Sequence, residues 1–187
     1  SDRINQTNIA NVKQLMQLMV HKQSRLVVSA DLVDSAAIIK LARAVGPFIV
    51  LLKLHADIIS DFSPQFVKTL QQIAKDEGFM LFEDRKIADI GFTATRQLTG
   101  GLHRIAEWAD FVTIHALLGP PLIEALQPIA EASNVALLLL ADLSASGHLI
   151  TDAYRQAACQ MAGNYRGVVG GLITQTAPIE PVPGGCL

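Results

Sequence analysis

The stretch Leu81-Phe82-Glu83-Asp84-Arg85-Lys86-Ile87-Ala88-Asp89 carries an apolar run directly into a cluster of charges. Asp84 and Lys86 are two apart, so on an extended segment they project to one side, while Asp89 falls in the next turn. Lys53, at the end of the preceding apolar run, becomes their neighbour across a shared mouth. Two acids and two bases tolerate a poorly hydrated site only by pairing, because an unpaired buried charge costs roughly several kcal/mol. A lysine flanked by carboxylates carries its proton, which suits a general acid better than a nucleophilic amine. The plainer alternative is a solvated charge run in which an acid caps a helix start. That accounts for Asp89 alone but not for Asp84 and Lys86 together.

Positioning such a cluster requires strands that end at a common level. Six short runs rich in Val, Ile, Leu or Phe recur, over 25–31, 48–54, 79–84, 111–115, 135–143 and 167–173. Their near-continuous hydrophobicity fits strands buried on both faces of a parallel sheet. Between them lie helical patterns, such as Phe66, Val67, Leu70, Ile73 and Ala74, opened by Ser63-Pro64 and closed by Gly78. A further helix precedes the first strand, with Ile9, Val12, Met16 and Met19 on one stripe. The runs start 23 to 32 residues apart, the pitch of an α/β barrel or a doubly wound sheet.

The carboxyl ends of the runs separate these two folds. Ser29 and Asp31, Lys53 and His55, Asp84 and Lys86, His115, Ser144, and Thr174 and Gln175 all gather there. Every strand of a barrel contributes to one mouth, whereas an open sheet uses only strands near its switch point. The expected fold is therefore α/β, a (β/α)8 TIM barrel with about six βα units present in this chain. The expectation is one domain over 1–187, with the two C-terminal units missing and a loop-like tail over 177–187 rich in Pro and Gly.

The chain has 187 residues, 50% hydrophobic and 17% charged, a composition that builds a core rather than a disordered segment. With 15 basic and 17 acidic residues the net charge is −2, which gives no footprint for a nucleic-acid backbone or an anionic membrane. No apolar run reaches membrane-spanning length, the first residues are too polar for a signal peptide, and Cys159 and Cys186 have no metal or redox spacing. A cytoplasmic location is expected.

The Asp84-x-Lys86-x-x-Asp89 pattern resembles the signature of the orotidine 5′-monophosphate decarboxylase superfamily, and Leu52-Lys53-Leu54-His55-Ala56-Asp57 is similar to that family's lysine-bearing second strand. Phe82 to Lys86, Arg104-Ile105-Ala106-Glu107-Trp108-Ala109-Asp110 and Gly119-Pro120 resemble the fungal and animal form. Phe92 departs from the small polar residue common in related sequences. The resemblance implies decarboxylation of orotidine 5′-monophosphate to UMP, the last step of de novo pyrimidine biosynthesis, in a homodimer. It implies that Lys53, Asp84, Lys86 and Asp89 are catalytic, with no metal and no organic cofactor. Asp31 and Lys53 would bind the ribose hydroxyls, Ser144 the pyrimidine edge, and Asp89 and Thr93 the partner's site. Ser29 and Gln175 complete the candidate substrate contacts, Gln175 near base or phosphate. The family's phosphate-binding residues follow the sixth strand and surround the last two, so the expectation is that this sequence stops short of them and turns over less well. His55 and His115 are read as structural and Trp108 as a packing residue.

Three rivals stay open on the sequence. They are the magnesium-dependent sister decarboxylase acting on 3-keto-L-gulonate 6-phosphate, a non-catalytic nucleotide-binding or dimerising remnant, and one part of a longer UMP synthase.

Overall fold

A computed structural model describes residues 7–175; Cys186 and the 177–187 tail lie outside them. The elements run α1 (Ala10–Lys22), β1 (Val27–Ser29), α2 (Ser35–Val45), β2 (Leu51–Leu54), α3 (Pro64–Glu77), β3 (Met80–Ile87), α4 (Gly91–Thr99), β4 (Phe111–His115), α5 (Pro120–Ala132), β5 (Ala136–Leu140), α6 (Asp152–Asn164) and β6 (Val169–Ile173). Short 3-10 turns follow β2 (Ala56–Ile58) and β4 (Ala116–Leu118). Among the described residues six strands form one sheet in sequence order, and every pairing is parallel. A doubly wound sheet reverses its order at a switch point, and this one does not. The order is that of consecutive βα units in a barrel wall.

Local sequence accounts for the elements. In α3 the Ser63 side chain accepts the Phe66 amide, Pro64 occupies the first turn, and Gly78 ends the helix at φ 69°. Its apolar face buries Phe66, Leu70, Ile73 and Ala74, each large side chain contributing about 1.5–3 kcal/mol relative to exposure. Asp34 caps α2 and Thr151 caps α6 in the same way. The plainer reading of Asp89 as a helix cap is not met: α4 starts after Ile90 without a side-chain cap, and Asp89 accepts the adjacent Ile90 amide.

Alternate strand residues divide the core into two layers. Leu52, Leu54, Leu81, Val112, Ile114, Leu137 and Leu139 face the surrounding helices. Leu51, Met80, Phe82, Phe111, Ala136 and Leu138 face inward, where Val12, Leu15 and Met16 of α1 pack against them. The α1 stripe thus seals the inner face. On β6 Gly170 makes this seal possible, since a Cβ there would lie 2.8 Å from Val12 Cγ2 and 3.1 Å from Ala136 Cβ. The inward row continues upward from Phe82 to Asp84 and from Phe111 to Thr113 and His115, so polar groups succeed apolar ones at the carboxyl ends.

Candidate active site

The mouth is centred on Asp84. Its Oδ2 lies 3.0 Å from Lys53 Nζ and 2.7 Å from Lys86 Nζ, so one carboxylate oxygen is shared by two ammonium groups. Its Oδ1 accepts the Thr113 hydroxyl at 2.8 Å. The Asp84 side chain is only 12% exposed, against 22% for Lys53 and 35% for Lys86. Burial alone would push its carboxyl up, but the bonds from Lys86, Lys53 and Thr113 outweigh that and hold it below the ordinary aspartate range.

A distortion of β3 brings Lys86 onto Asp84. Glu83 pairs with Val112 and Ile87 with Ile114, so three residues, Asp84, Arg85 and Lys86, stand opposite Thr113 alone. Lys86 takes φ 52°, in the left-handed region that side chains other than glycine seldom occupy. The expectation of a simple extended segment is corrected here: a strand bulge, not alternation, closes the ion pair to 2.7 Å. The Lys86 amide, turned out of the ladder, donates to Thr113 Oγ1 at 2.8 Å.

Two residues outside the predicted set join the network. His55 Nε2 is 3.3 Å from Lys53 Nζ, 3.5 Å from Asp84 Oδ2 and 3.7 Å from Asp31 Oδ1, linking the ends of β1, β2 and β3. A histidine at a strand end reads from sequence as structural, and here it belongs to the site's network. Thr113 had no candidate role, although a hydroxyl between Val112 and Ile114 in a buried strand was a visible signal. His115 stands at the end of β4; burial and the nearby Lys86 charge both lower its pKa, which favours the neutral ring.

The remaining predicted residues lie at or beyond the carboxyl ends of the strands, outside the central network. Ser29 pairs in register with Lys53, and Asp31 is exposed beyond β1. Ser144 is exposed in the loop from β5 to α6, and Gln175 is exposed just after β6. Asp89 precedes α4 and Thr93 is half-buried in its first turn; among the described residues neither bonds to Lys53, Asp84 or Lys86. Next to them Ile90 and Phe92 are exposed, with Arg96 5.5 Å over the Phe92 ring. Trp108 is buried, its indole N–H bonded to the His103 carbonyl at 2.8 Å.

The loop carrying Ser144 is fastened beneath. Asp142, 2% exposed, accepts the Leu143 amide through Oδ1, which also lies 3.3 Å from Arg155 and 3.4 Å from His148 Nε2. His148 Nδ1 accepts the Ile150 amide, which leaves the ring proton on Nε2 to donate to Asp142.

The geometry offers a fixed anion flanked by two cations at the top of a parallel barrel wall. That arrangement can hold an anionic ligand and supply a proton to a carbon brought against Lys86.

Comparison with known proteins agrees. Residues 24–180 match the family described as orotidine 5′-phosphate decarboxylase / HUMPS. Orotidine 5′-phosphate decarboxylase of Schizophyllum commune is 43% identical over 163 residues, which cover 87% of this chain and 59% of the relative. Uridine 5′-monophosphate synthase of Bos taurus is 42% identical over 160 residues, 86% of this chain and 33% of that one. Against these relatives the chain spans about three-fifths and one-third of their lengths. Among solved structures, orotidine 5′-monophosphate decarboxylase of Methanocaldococcus jannaschii superposes with a TM-score of 0.65 at 18% identity, covering 80% of this chain and 69% of that chain. The same enzyme complexed with the inhibitor BMP gives 0.64, covering 81% and 67%. At that identity the superposition speaks for the fold, a TIM barrel of which the described residues form six strands.

Proposed function

Because the chain belongs to the orotidine 5′-phosphate decarboxylase / HUMPS family, we propose that its mouth converts orotidine 5′-monophosphate to UMP and CO2. The observation that carries this reading is the Asp84 carboxylate held between the Lys53 and Lys86 ammonium groups, at 3.0 and 2.7 Å. The substrate's carboxylate at C6 enters beside Lys86 and against Asp84. The C6–carboxylate bond breaks, CO2 leaves, and the electron pair stays on C6. The Lys86 ammonium stabilises that carbanion and then transfers its proton to C6, which gives UMP and a neutral amine that regains a proton from solvent. Asp84 keeps Lys86 on target, and its repulsion of the substrate carboxylate is relieved as CO2 departs.

Lys53 and Asp31 hold the ribose hydroxyls, with Ser29 beneath them on the same rim. Ser144 reads the pyrimidine edge, and Gln175 approaches from the end of β6. Homodimerisation belongs to the same proposal, with Asp89 and Thr93 reaching the partner's site; the exposed Ile90 and Phe92 beside them support it, as apolar surface that a second copy would cover. A cytoplasmic location is proposed on the same footing.

The test is decarboxylation of orotidine 5′-monophosphate by the purified chain in EDTA, beside Lys86→Ala. The expected result is metal-independent turnover that falls by about 10³-fold or more in the variant, since both charge stabilisation and proton transfer are lost. Turnover indifferent to Lys86→Ala overturns the reading, and strict dependence on magnesium moves it to the sister activity.

A further inference from the structure

The bulge in β3 creates a demand that the catalytic side chains themselves do not meet. With three residues opposite one, the ladder between β3 and β4 is interrupted where Asp84 and Lys86 sit. The Lys86 amide is rotated out of the sheet at φ 52°, and an unpaired amide in a part-buried site is costly. Asp84 needs a second donor as well, because its two lysine partners both take Oδ2. One side chain supplies both. Thr113 has no exposed surface, and its hydroxyl accepts the Lys86 amide at 2.8 Å while donating to Asp84 Oδ1 at 2.8 Å.

We propose that Thr113 is a positioning residue of the reaction, whose hydroxyl fixes the Lys86 backbone turn and the Asp84 carboxylate as one unit and so sets the distance at which Lys86 delivers its proton. Direction matters in this chain of bonds. The hydroxyl has one proton, and since it accepts from the amide, that proton goes to Asp84 Oδ1, which is the stronger acceptor when the carboxyl is ionised. Thr113 therefore favours the charged form of Asp84 independently of the two lysines, in line with its place among the groups that hold this carboxyl low. The groups facing Asp84 from the surrounding elements are Lys53 and His55 from β2, Lys86 from β3 and Thr113 from β4, with Asp31 behind His55 and His115 beside Lys86. Of these, Thr113 alone touches both the carboxylate and the backbone that carries the proton donor.

This inference rests on the proposed decarboxylation, so its test has one arm that needs no turnover. Thr113→Val keeps the shape and removes both bonds; Thr113→Ser keeps both; Thr113→Ala removes them without placing a methyl group against the Lys86 amide, should valine not fold. Expected for Val or Ala is a fall of about 10- to 100-fold in kcat with KM changed by less than about threefold, the size of losing a bond to a charged group. The acid limb of the pH–rate profile moves to higher pH, and Ser restores both. In the second arm the Asp84 carboxyl is followed by 13C NMR in the resting protein, assigned with Asp84→Asn, and its titration midpoint rises in Val or Ala and returns in Ser. A role confined to packing predicts lower thermal stability with the acid limb and the Asp84 midpoint unmoved, and that result overturns the proposal. Should the wild-type chain not act on orotidine 5′-monophosphate, the proposed function fails by itself, and the Asp84 titration alone decides whether Thr113 positions the pair.

Discussion

Replacing Glu83 by glutamine is expected to change how the stability of this protein depends on pH, and by an amount that can be worked out. Glu83 has no exposed surface. Its two oxygens lie 3.2 and 3.0 Å from the Ala56 amide, which ties β3 to the turn after β2, beside His55. Burial pushes its carboxyl up to about 8 from an ordinary value of 4.5; the Ala56 amide and Arg85 oppose the shift, and Asp57 and Asp84 add to it. The folded protein therefore keeps a proton that the unfolded chain releases between those two values. Stability from this group is fully present below the unfolded pKa and is lost as pH rises through the folded one. The slope across the window is about 1.4 kcal/mol per pH unit. Glutamine imitates the neutral acid and has no proton to lose. The stability of Glu83→Gln minus that of the wild type should thus grow by about 3 kcal/mol between about pH 5 and pH 7.5. Urea unfolding of both proteins across that range measures it, and titrations common to both, such as those of Asp84 and Asp110, cancel in the difference. A flat difference would show that Glu83 is already ionised in the folded state and would refute the reasoning.

Other perturbations test the framework. Ser63→Ala removes the cap bonded to the Phe66 amide and should lower stability by about 1 kcal/mol in urea unfolding. Gly170→Ala places a methyl group 2.8 Å from Val12 Cγ2; overpacking of this kind costs about 1–3 kcal/mol and should appear as a lower unfolding midpoint with α1 the first element to exchange its amides. Arg155→Ala withdraws the cation on the buried Asp142 and should speed hydrogen exchange at Leu143 and Ile150 by about tenfold or more, while α3 stays unchanged.

The barrel wall was legible because its signals are local and repeated. Five of the six apolar runs contain a strand and the sixth, 79–84, holds the start of β3, which continues to Ile87; Ser63-Pro64 and Gly78 bracket α3 as their chemistry requires. A cap needs only a side-chain acceptor and a nearby amide, and a left-handed end needs only a residue without a Cβ. Strand order followed from the pitch and from polar residues at every carboxyl end. Less visible was the depth of each side chain. Asp31 and His55 stand at neighbouring strand ends with similar sequence contexts, yet Asp31 is exposed and His55 is half-buried.

The same limit applies at the centre of the site, where sequence spacing led to Lys53, Asp84 and Lys86 by the wrong geometry and added Asp89, which among the described residues bonds to none of them. Alternation places residues two apart on one face of a strand, separated by roughly two strand rises, about 6.5–7 Å at Cα. Long side chains can cover that gap, but they then retain freedom that works against a fixed proton donor. The bulge removes the slack by giving three β3 residues to one on β4 and turning Lys86 to φ 52°. Holding a lysine in that conformation costs about 1 kcal/mol or more, which a neighbour must offset. Nothing in Asp84-Arg85-Lys86 announces the turn, for it contains neither glycine nor asparagine. The offset comes from 27 residues further along the chain, where Thr113 accepts the displaced amide. A strained backbone position and a buried hydroxyl on the adjacent strand each look unremarkable in a sequence; only their pairing identifies the place where the fold has set local strain against side-chain precision.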